Sequence, residues 1–330
     1  MRGAIEAWHG RGLSYACAAA IWICPAPSLA QTYPSKPVRW VIPFDAGTSP
    51  DVVGRVLTER LSRLWGQQVV VENRVGAAGV LGSAFVAKSP ADGYTLFQAN
   101  IAPNAISVSL HAKVPYDQLR DFAPITRIGM TPNIITVHPS VPFKSIQQFI
   151  AYAKARPSEL SYSAGLVGTS PQLSMELLKL QVKFDVVHIP YRSAAQGVSD
   201  TIGGQIPVNV SNVPAIVGPV QGGRLRALAV TSAQRVSLLP NVPTMQESGV
   251  PGFEVNSWYG VAAPAATPAP LLDKLNADIT SVLRMPEIQQ RLTEMVIPPS
   301  PTSRKEFDQF IRAEIARWAQ VIKDAGIPQQ

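Results

Sequence analysis

The chain has 330 residues, of which 46% are hydrophobic and 15% are charged, and its formal net charge at pH 7 is +7. This composition is ordinary for a globular protein. The positive charge favours anionic ligands in general, but the basic residues are scattered rather than clustered, which argues against nucleic acid as a partner. A chain of this length is longer than most domains with a single hydrophobic core, so we expect two lobes.

The N-terminus has the pattern of a secretory signal peptide. Arg2 and Arg11 precede an apolar run over residues 13–24, which small side chains follow. A run of about a dozen apolar residues is too short to cross a bilayer, which takes about 20. We therefore expect a cleaved signal peptide over residues 1–30, a mature chain that begins near Gln31, and a periplasmic location.

Both cysteines, Cys17 and Cys24, lie in this leader. The mature chain would then contain no thiol, no disulfide and no cysteine metal ligand, which suits a bacterial-type periplasmic protein. Residues 21–23 in front of Cys24 lack the small side chains that a lipoprotein peptidase usually takes. We therefore expect a released protein rather than a lipid-anchored one.

Short β-branched runs alternate with amphipathic segments from residue 38 onward, and this order predicts an α/β fold with largely parallel sheets. The predicted strands cover residues 38–42, 69–72, 94–98, 134–137, 160–163, 186–189, 208–210 and 225–230. The runs near Ile134 and over residues 258–262 leave through proline-rich segments. These two runs are candidates for strands that cross between lobes.

A proline-rich stretch over residues 262–270 precedes three helical patterns. The last pattern begins at Ser303 and Glu306, which are spaced as a capping box. An apolar stripe follows this box and predicts a terminal helix that packs on a lobe: Phe307, Phe310, Ile311, Ile315, Trp318 and Ile322.

The tetrapeptide Gly-Thr-Ser-Pro occurs at residues 47–50 and 168–171, each time between a predicted strand and a predicted helix. Ser49 and Ser170 are predicted N-caps, with the following proline at the first helical position. A glycine-rich loop that opens a helix offers unpaired backbone N–H groups and the positive end of the helix dipole, which can hold a carboxylate or phosphate. The same tetrapeptide is also ordinary helix-starting chemistry, and the residues alone leave both interpretations open.

Further motifs occur in order along the whole mature chain, at residues 33–39, 43–51, 71–74, 76–79, 91–96, 190–192, 203–205, 225–232 and 239–244. They begin with Tyr-Pro-Ser-Lys-Pro-Val-Arg and include Val-Glu-Asn-Arg, Ala-Asp-Gly-Tyr-Thr-Leu, Pro-Tyr-Arg and Leu-Pro-Asn-Val-Pro-Thr. This set resembles the Bug-type substrate-binding proteins of tripartite tricarboxylate transporters.

The resemblance implies a Venus-flytrap fold of the type II periplasmic binding proteins, with two α/β lobes of mixed sheets joined by crossing strands. Residues 31–131 and 254–330 would form lobe 1, and residues 132–253 would form lobe 2. It also implies a monomeric solute receptor without catalytic activity, cofactor or metal, which passes a small carboxylate to membrane transporter subunits. A membrane sensor kinase is the alternative partner, since the same fold could present its closed state to either.

In such proteins the loop after the first strand and the corresponding loop of the second lobe hold a ligand carboxylate. Carried over residue by residue, the ligand-binding residues are Phe44, Ala46, Gly47, Thr48, Asp51, Gly165, Gly168, Thr169, Ser170 and Asp200.

The sequence departs from the family pattern at three positions. Asp45 and Thr48 replace a proline and a glycine in the first loop, and Gln172 replaces a histidine after the second. A carboxylate at Asp45 would repel an anion if it faced the pocket, so it points outward or the ligand also carries a cationic group. Ligand identity is therefore open, with di- and tricarboxylates, aromatic acids and acidic amino acids as candidates.

A serine hydrolase that uses Ser170 is the enzyme alternative. The pattern G-x-S-x-G is absent, and Pro171 lacks the backbone N–H that such enzymes direct at the oxyanion. His111, His138 and His188 show no metal-ligand spacing, so we interpret them as structural histidines. A receptor remains the favoured interpretation.

Overall fold

Strands and helices alternate along the chain, as the hydrophobic pattern predicts. The computed structural model describes residues 33–191 and 193–329, so the predicted signal peptide lies outside the described residues. The strands are β1 (Val38–Ile42), β2 (Val69–Asn73), β3 (Thr95–Asn100), β4 (Phe122–Val137), β5 (Ser161–Ser163), β6 (Val187–Ile189), β7 (Val208–Asn212), β8 (Arg226–Val230) and β9 (Asn256–Pro264).

The helices that connect and cover these strands are α1 (Ser49–Trp65), α2 (Val80–Ala87), α3 (Ser107–Leu110), α4 (Ile146–Ala155), α5 (Ser170–Val182), α6 (Ala194–Ile202), α7 (Val217–Gln221), α8 (Ala269–Leu283), α9 (Pro286–Glu294) and α10 (Arg304–Asp324). Short 3₁₀ turns occupy Ala77–Gly79 and Val213–Ala215, and a π-helical turn occupies Ala102–Ile106.

The strands pair in the order β2-β1-β3-β9-β4-β7-β5-β6, with β8 on the other side of β4. In the first sheet β1 lies parallel to β2 and β3, whereas β9 runs antiparallel to β3 and β4. In the second sheet β5 lies parallel to β6 and β7, and β4 runs antiparallel to β7 and β8. Both sheets are therefore mixed, with parallel strands where strand–helix units repeat and antiparallel strands where β4 and β9 enter.

Strand β4 belongs to both sheets. Residues 122–132 pair with β9, and residues 133–137 pair with β7 and β8. The sequence pattern predicted only the second part, because Pro124, Gly129 and Pro132 interrupt the first. The register against β9 shifts between Pro124 and Thr126 and again between Arg127 and Gly129, and such irregularities let a strand accommodate residues that a regular ladder rejects.

The chain returns to the first sheet through Thr231 and Val255. The Thr231 N–H donates to the Asn133 carbonyl at 2.9 Å, and the Val255 N–H donates to the Thr231 carbonyl at 3.0 Å. The Thr231 hydroxyl lies 3.1 Å from the Asn133 carbonyl and 2.5 Å from the Val255 carbonyl. Thr231 therefore fastens β4 to the segment that leads into β9, at the point where the chain passes between the sheets.

Helix α10 packs across the first sheet as its apolar stripe predicts. The capping box of Ser303 and Glu306 is present in both directions. Phe307 and Trp318 are fully buried, and the Phe307 ring meets Trp258 of β9 edge-on with ring centroids 5.8 Å apart. Among residues 33–191 and 193–329, no helix combines the length and apolar character that a membrane crossing requires.

We expect Gly260→Ala to destabilise the protein by about 1–3 kcal/mol, because a methyl group there would overlap the Phe307 ring that lies on β9. Gly218→Ala is the control, since no heavy atom lies within 4 Å of the added carbon. Urea unfolding of both variants measures the two free energies. Equal stability of the two variants would contradict the close packing of α10 on β9.

Candidate ligand-binding site

The two Gly-Thr-Ser-Pro segments lie at the carboxyl ends of β1 and β5. We call residues 43–48 the first loop and residues 164–169 the second loop; each runs from its strand into α1 or α5. A methyl group on Gly168 would lie 2.8 Å from Leu110 Cδ2, so the second loop approaches α3. Helix α3 follows β3, which is parallel to β1, so both loops lie towards the same edge of the first sheet.

Asp51 organises the first loop from within helix α1. Its carboxylate is only 2% exposed and accepts hydrogen bonds from the Gly47 N–H at 2.9 Å and the Arg55 Nε at 2.9 Å. Asn73 donates to its other oxygen at 2.9 Å and to the Phe44 carbonyl, also at 2.9 Å. In the sequence Asn73 is recognisable only as part of the Val-Glu-Asn-Arg motif, but this residue ends β2 and fixes the first loop with its amide.

Asp51 stays ionised despite its burial. Burial alone would raise the pKa of Asp51, but the hydrogen bonds from Arg55, Gly47 and Asn73 and the charge of Arg55 outweigh it and lower the pKa below its ordinary value. Because Arg55 compensates the charge, the loop amides above Asp51 do not face an unpaired anion.

The second loop repeats this construction with a neutral side chain. The Gly168 N–H donates to Gln172 Oε1 at 3.3 Å, which matches the bond from Gly47 to Asp51 four residues ahead. Gly47 and Gly168 have φ values of +80° and +83°, a region that glycine enters without steric cost. Asp51 and Gln172 therefore perform the same task, and sequence analysis recognised Gln172 only as a departure from the family.

The threonines of both loops bind their own backbone. Thr48 Oγ1 donates to the Asp45 carbonyl at 2.6 Å, and Thr169 Oγ1 lies 2.8 Å from the Leu166 carbonyl and 3.0 Å from that of Ala164. Thr48 and Thr169 are the N-cap residues, without a side-chain cap bond, so the predicted N-caps Ser49 and Ser170 were wrong by one residue. The hydroxyl hydrogen of each threonine goes to a loop carbonyl, and neither hydroxyl oxygen accepts a capping bond from its helix.

Each helix begins with amides that point out of its end. The first intrahelical bonds run from the Val52 N–H to the Thr48 carbonyl and from the Leu173 N–H to the Thr169 carbonyl, each at 3.0 Å. The amides before them, including those of Ser49 and Ser170, lie outside the helical ladder. Together with the helix dipole they form an electropositive surface that suits a carboxylate.

Gln98 holds helix α1 in place beneath the first loop. This fully buried side chain on β3 accepts from Trp40 Nε1 at 2.8 Å and donates to the Pro50 carbonyl at 2.6 Å. Proline at the second helical position has no N–H of its own to satisfy. In the sequence Gln98 is only the last residue of the predicted strand over residues 94–98.

The remaining predicted site residues form two groups, one in the first loop and one around Asp200 in α6. Ala46 and Gly47 are exposed at the tip of the first loop, as is Asp45. Asp200 of α6 lies beside Tyr191, whose pKa is raised by burial and by the hydrogen bond and negative charge of Asp200.

Tyr191 connects this second group to the second loop. Its N–H donates to the Gly165 carbonyl at 3.2 Å. Asp200 is therefore linked to the second loop through Tyr191, whereas no hydrogen bond or ion pair joins it to the first loop among the described residues. In the sequence Tyr191 is recognisable only as part of the Pro-Tyr-Arg motif.

Comparison with known proteins identifies the class. Residues 53–327 match the model of the tripartite tricarboxylate transporter family receptors, and the chain belongs to this family. It is 36% identical to the protein BugT of Bordetella pertussis over 302 residues, which are 91% of this chain and 93% of BugT. It is 34% identical over 291 residues to a protein encoded in the tcbD–tcbE intergenic region of Pseudomonas sp. strain P51, with 88% of this chain and 86% of that protein covered.

Three solved structures are also similar to this chain. The Rhodopseudomonas palustris protein Rpa4515 with adipate has a TM-score of 0.84 and 35% identity, covering 90% of this chain and 99% of that one. The periplasmic binding protein BugD has a TM-score of 0.82 and 30% identity, with coverages of 90% and 100%. MatC from R. palustris with bound malate has a TM-score of 0.80 and 28% identity, with coverages of 88% and 100%.

These matches confirm the family resemblance and the two-lobed periplasmic-binding-protein fold that the sequence predicted. The family and its structural neighbours are solute-binding receptors, not enzymes, so the serine hydrolase alternative was wrong. Proteins of this family are periplasmic, bind small carboxylates and work with transporter components.

We expect Asp51→Asn to lower the free energy of unfolding at pH 7 by about 1–3 kcal/mol. In this variant an amide NH₂ replaces a carboxylate oxygen that accepts hydrogen bonds from N–H groups. The charge-assisted bond to Arg55 is also lost. Asp45→Asn, in the same loop but exposed, should change it by less than about 0.5 kcal/mol. Urea unfolding measures both.

The contribution of Asp51 should also depend on pH. Its pKa in the folded protein is lower than in the unfolded chain, where it is about 3.9. Its stabilisation is therefore complete above the unfolded pKa and is lost as the pH falls through the folded one. The stability difference between the wild type and Asp51→Asn should be constant from about pH 7 to 5 and shrink below about pH 4. A difference that stays constant in that lower range would contradict the bonded carboxylate.

Gly168→Ala should destabilise the protein more than Gly47→Ala. Both substitutions force a positive φ on alanine, at about 1 kcal/mol each, but only at position 168 does the methyl group also meet Leu110. Melting temperatures of the two variants, measured without ligand, give the comparison. Equal losses would show that the second loop does not lie against α3 in solution.

Proposed function

We propose that this protein is a periplasmic receptor that captures a small carboxylate between the first and second loops and delivers it to the membrane subunits of a tripartite tricarboxylate-type transporter. The observation that carries the proposal is the repeated construction of the two loops, each of which presents the amides of a helix N-terminus. In this proposal the ligand-binding residues are those expected from the family, joined by the helix-start amide of Ser49, and backbone groups of residues 44–49 and 165–170 make most of the contacts.

Electrostatics supports a carboxylate ligand. The ion pair between Asp51 and Arg55, at 2.9 Å, removes net negative charge beneath the first loop, and Gln172 is neutral beneath the second. The N-terminal ends of α1 and α5 each carry a partial positive charge that favours an anion. Asp45 is exposed, so its carboxylate can remain in water while the loop amides bind the ligand.

Two relatives narrow the choice of first candidates. The Rpa4515 structure contains adipate and the MatC structure contains malate, which are both dicarboxylates. We propose a dicarboxylate for this chain as well, with one carboxylate at the loop amides. We propose that Asp200, with Tyr191 beside it, defines the other end of the ligand.

Closure around the ligand would use the crossing strands. We propose that residues 31–131 and 254–330 form one lobe and residues 132–253 the other. The change of pairing partners at Pro132 and Asn133 supports the first boundary, and the link from Thr231 to Val255 supports the second. The predicted signal peptide would place the receptor in the periplasm, where the family works.

A thermal-shift screen of the mature protein tests the proposal, with mono-, di- and tricarboxylates that include adipate and malate. We expect a saturable rise in melting temperature, which corresponds to about 2.7 kcal/mol at a ligand concentration of 100 times Kd. Calorimetry then gives the affinity and stoichiometry.

The matched control for each active acid is its uncharged amide, for example adipamide for adipate. Because the amide has the same shape without the charge, it should produce no comparable shift. If no carboxylate raises the melting temperature, or if the amides act as well as the acids, the proposal is wrong.

A further inference from the structure

Four polar side chains form a closed hydrogen-bonded ring at the first residue of α5. Asn212 Nδ2 donates to Ser257 Oγ at 2.8 Å and to Asn133 Oδ1 at 2.7 Å. The hydroxyls of Ser257 and Ser170 are hydrogen-bonded to each other, and Ser170 Oγ lies 3.4 Å from Asn133 Oδ1. We call Asn133, Ser170, Asn212 and Ser257 the polar ring.

The ring uses the hydroxyl hydrogen of Ser170 in either donor arrangement. If Ser257 donates to Ser170 Oγ, the Ser170 hydrogen goes to Asn133 Oδ1, which also accepts from Asn212. If Ser170 donates to Ser257 Oγ, its hydrogen is again used within the ring. The hydroxyl of Ser170 therefore has no hydrogen left for a ligand.

The ring joins four separate elements. Asn133 lies on β4, Asn212 on β7, Ser257 on β9 and Ser170 at the start of α5. Strand β9 pairs only within the first sheet, whereas β7 pairs only within the second. The ring therefore ties the beginning of α5 to a strand of the opposite sheet.

Asn133 is also hydrogen-bonded to the next turn of α5. Its Nδ2 donates to Ser174 Oγ at 2.7 Å, and that hydroxyl donates to the Ser170 carbonyl at 2.7 Å. The Asn133 backbone is itself fixed, because its N–H donates to Thr231 Oγ1 at 2.7 Å. Asn133 is fully buried and Ser170 and Ser257 are 2% and 3% exposed, so a broken bond here would leave a polar group without water.

We propose that the polar ring is the positioning device that sets the direction of the amides at the start of α5, so that ligand affinity depends on Asn133, Asn212 and Ser257 although they act through Ser170. This inference rests on the proposed function. Backbone amides bind an anion well only when they are aimed correctly, and a rigid support supplies that aim. The ring fixes the residue whose amide opens α5.

Ser257→Ala and Asn212→Asp test the proposal. The first removes a ring hydroxyl, and the second keeps the side-chain shape but replaces both donated hydrogens by an acceptor. We expect Ser257→Ala to weaken adipate or malate binding by about tenfold, the equivalent of one lost hydrogen bond, and Asn212→Asp, which loses two, to weaken it by at least as much. Calorimetry at a temperature where each variant is folded measures both affinities.

Thr131→Val is the matched control. Thr131 lies opposite Ser257 in the β4–β9 pairing, so both side chains are on the same face of the sheet. Its hydroxyl is fully buried and has no hydrogen-bond partner among residues 33–191 and 193–329. Thr131→Val should therefore leave affinity unchanged, and an equal loss of affinity in this variant would overturn the specific role of the ring.

A double-mutant cycle separates positioning from general weakening of the fold. In a ring, Ser170→Ala and Ser257→Ala remove the same connection, so the double variant should lose little more affinity than either single variant. Additive losses of affinity would contradict the ring.

Hydrogen exchange of the ligand-free protein provides a readout that needs no ligand. Ser257→Ala and Asn212→Asp should speed exchange at the Leu173 and Ser174 amides of α5, whereas Thr131→Val should not. If the wild type binds no carboxylate at all, the proposed function fails and the affinity claim fails with it. If the wild type binds and the ring variants bind equally well with unchanged exchange, only the positioning inference is overturned.

Discussion

Strand β4 changes its hydrogen-bonding partners at Pro132, and the placement of both loops follows from that change. Before this residue the strand lies against β9, and after it the strand lies between β7 and β8. One continuous backbone therefore sets the two sheets next to each other. Thr231 binds the strand at the crossing, so the return of the chain starts from the same place.

The two loops are fixed by the same hydrogen-bond pattern but with different side chains. A helix whose first amides lie outside its hydrogen-bond ladder needs a fixed loop before it, and in both loops a glycine N–H bonds to a side chain four residues later. The first loop uses an ionised Asp51 that needs Arg55 as a partner, while the second uses the neutral Gln172. A charged support is stronger per bond but needs its own counter-charge, whereas an amide needs none.

Much of the fold could be predicted from the residues. Hydrophobic alternation located the strands, since β1 matches its predicted bounds and most of the others differ by one or two residues, and the Ser303–Glu306 box located α10. The first part of β4 escaped prediction because its prolines and bulges hide the alternation.

The candidate site could be predicted only in part. The motifs located both loops, but they did not reveal that Asn73, Gln98 and Asn212 support them. Those residues act across 22 to 79 positions of sequence, and a pattern read within one segment contains no information on such contacts.

Recognition through main-chain amides has an evolutionary consequence. Every residue except proline carries a backbone N–H, so substitution at Ala46 or Leu166 cannot delete the groups that would hold the carboxylate. Exposed loop positions are then free to vary and to remodel the rest of the pocket, while selection acts on the buried amides and hydroxyls behind the loops. A receptor built in this way can come to bind a different acid while it keeps the same backbone contacts to the acid group.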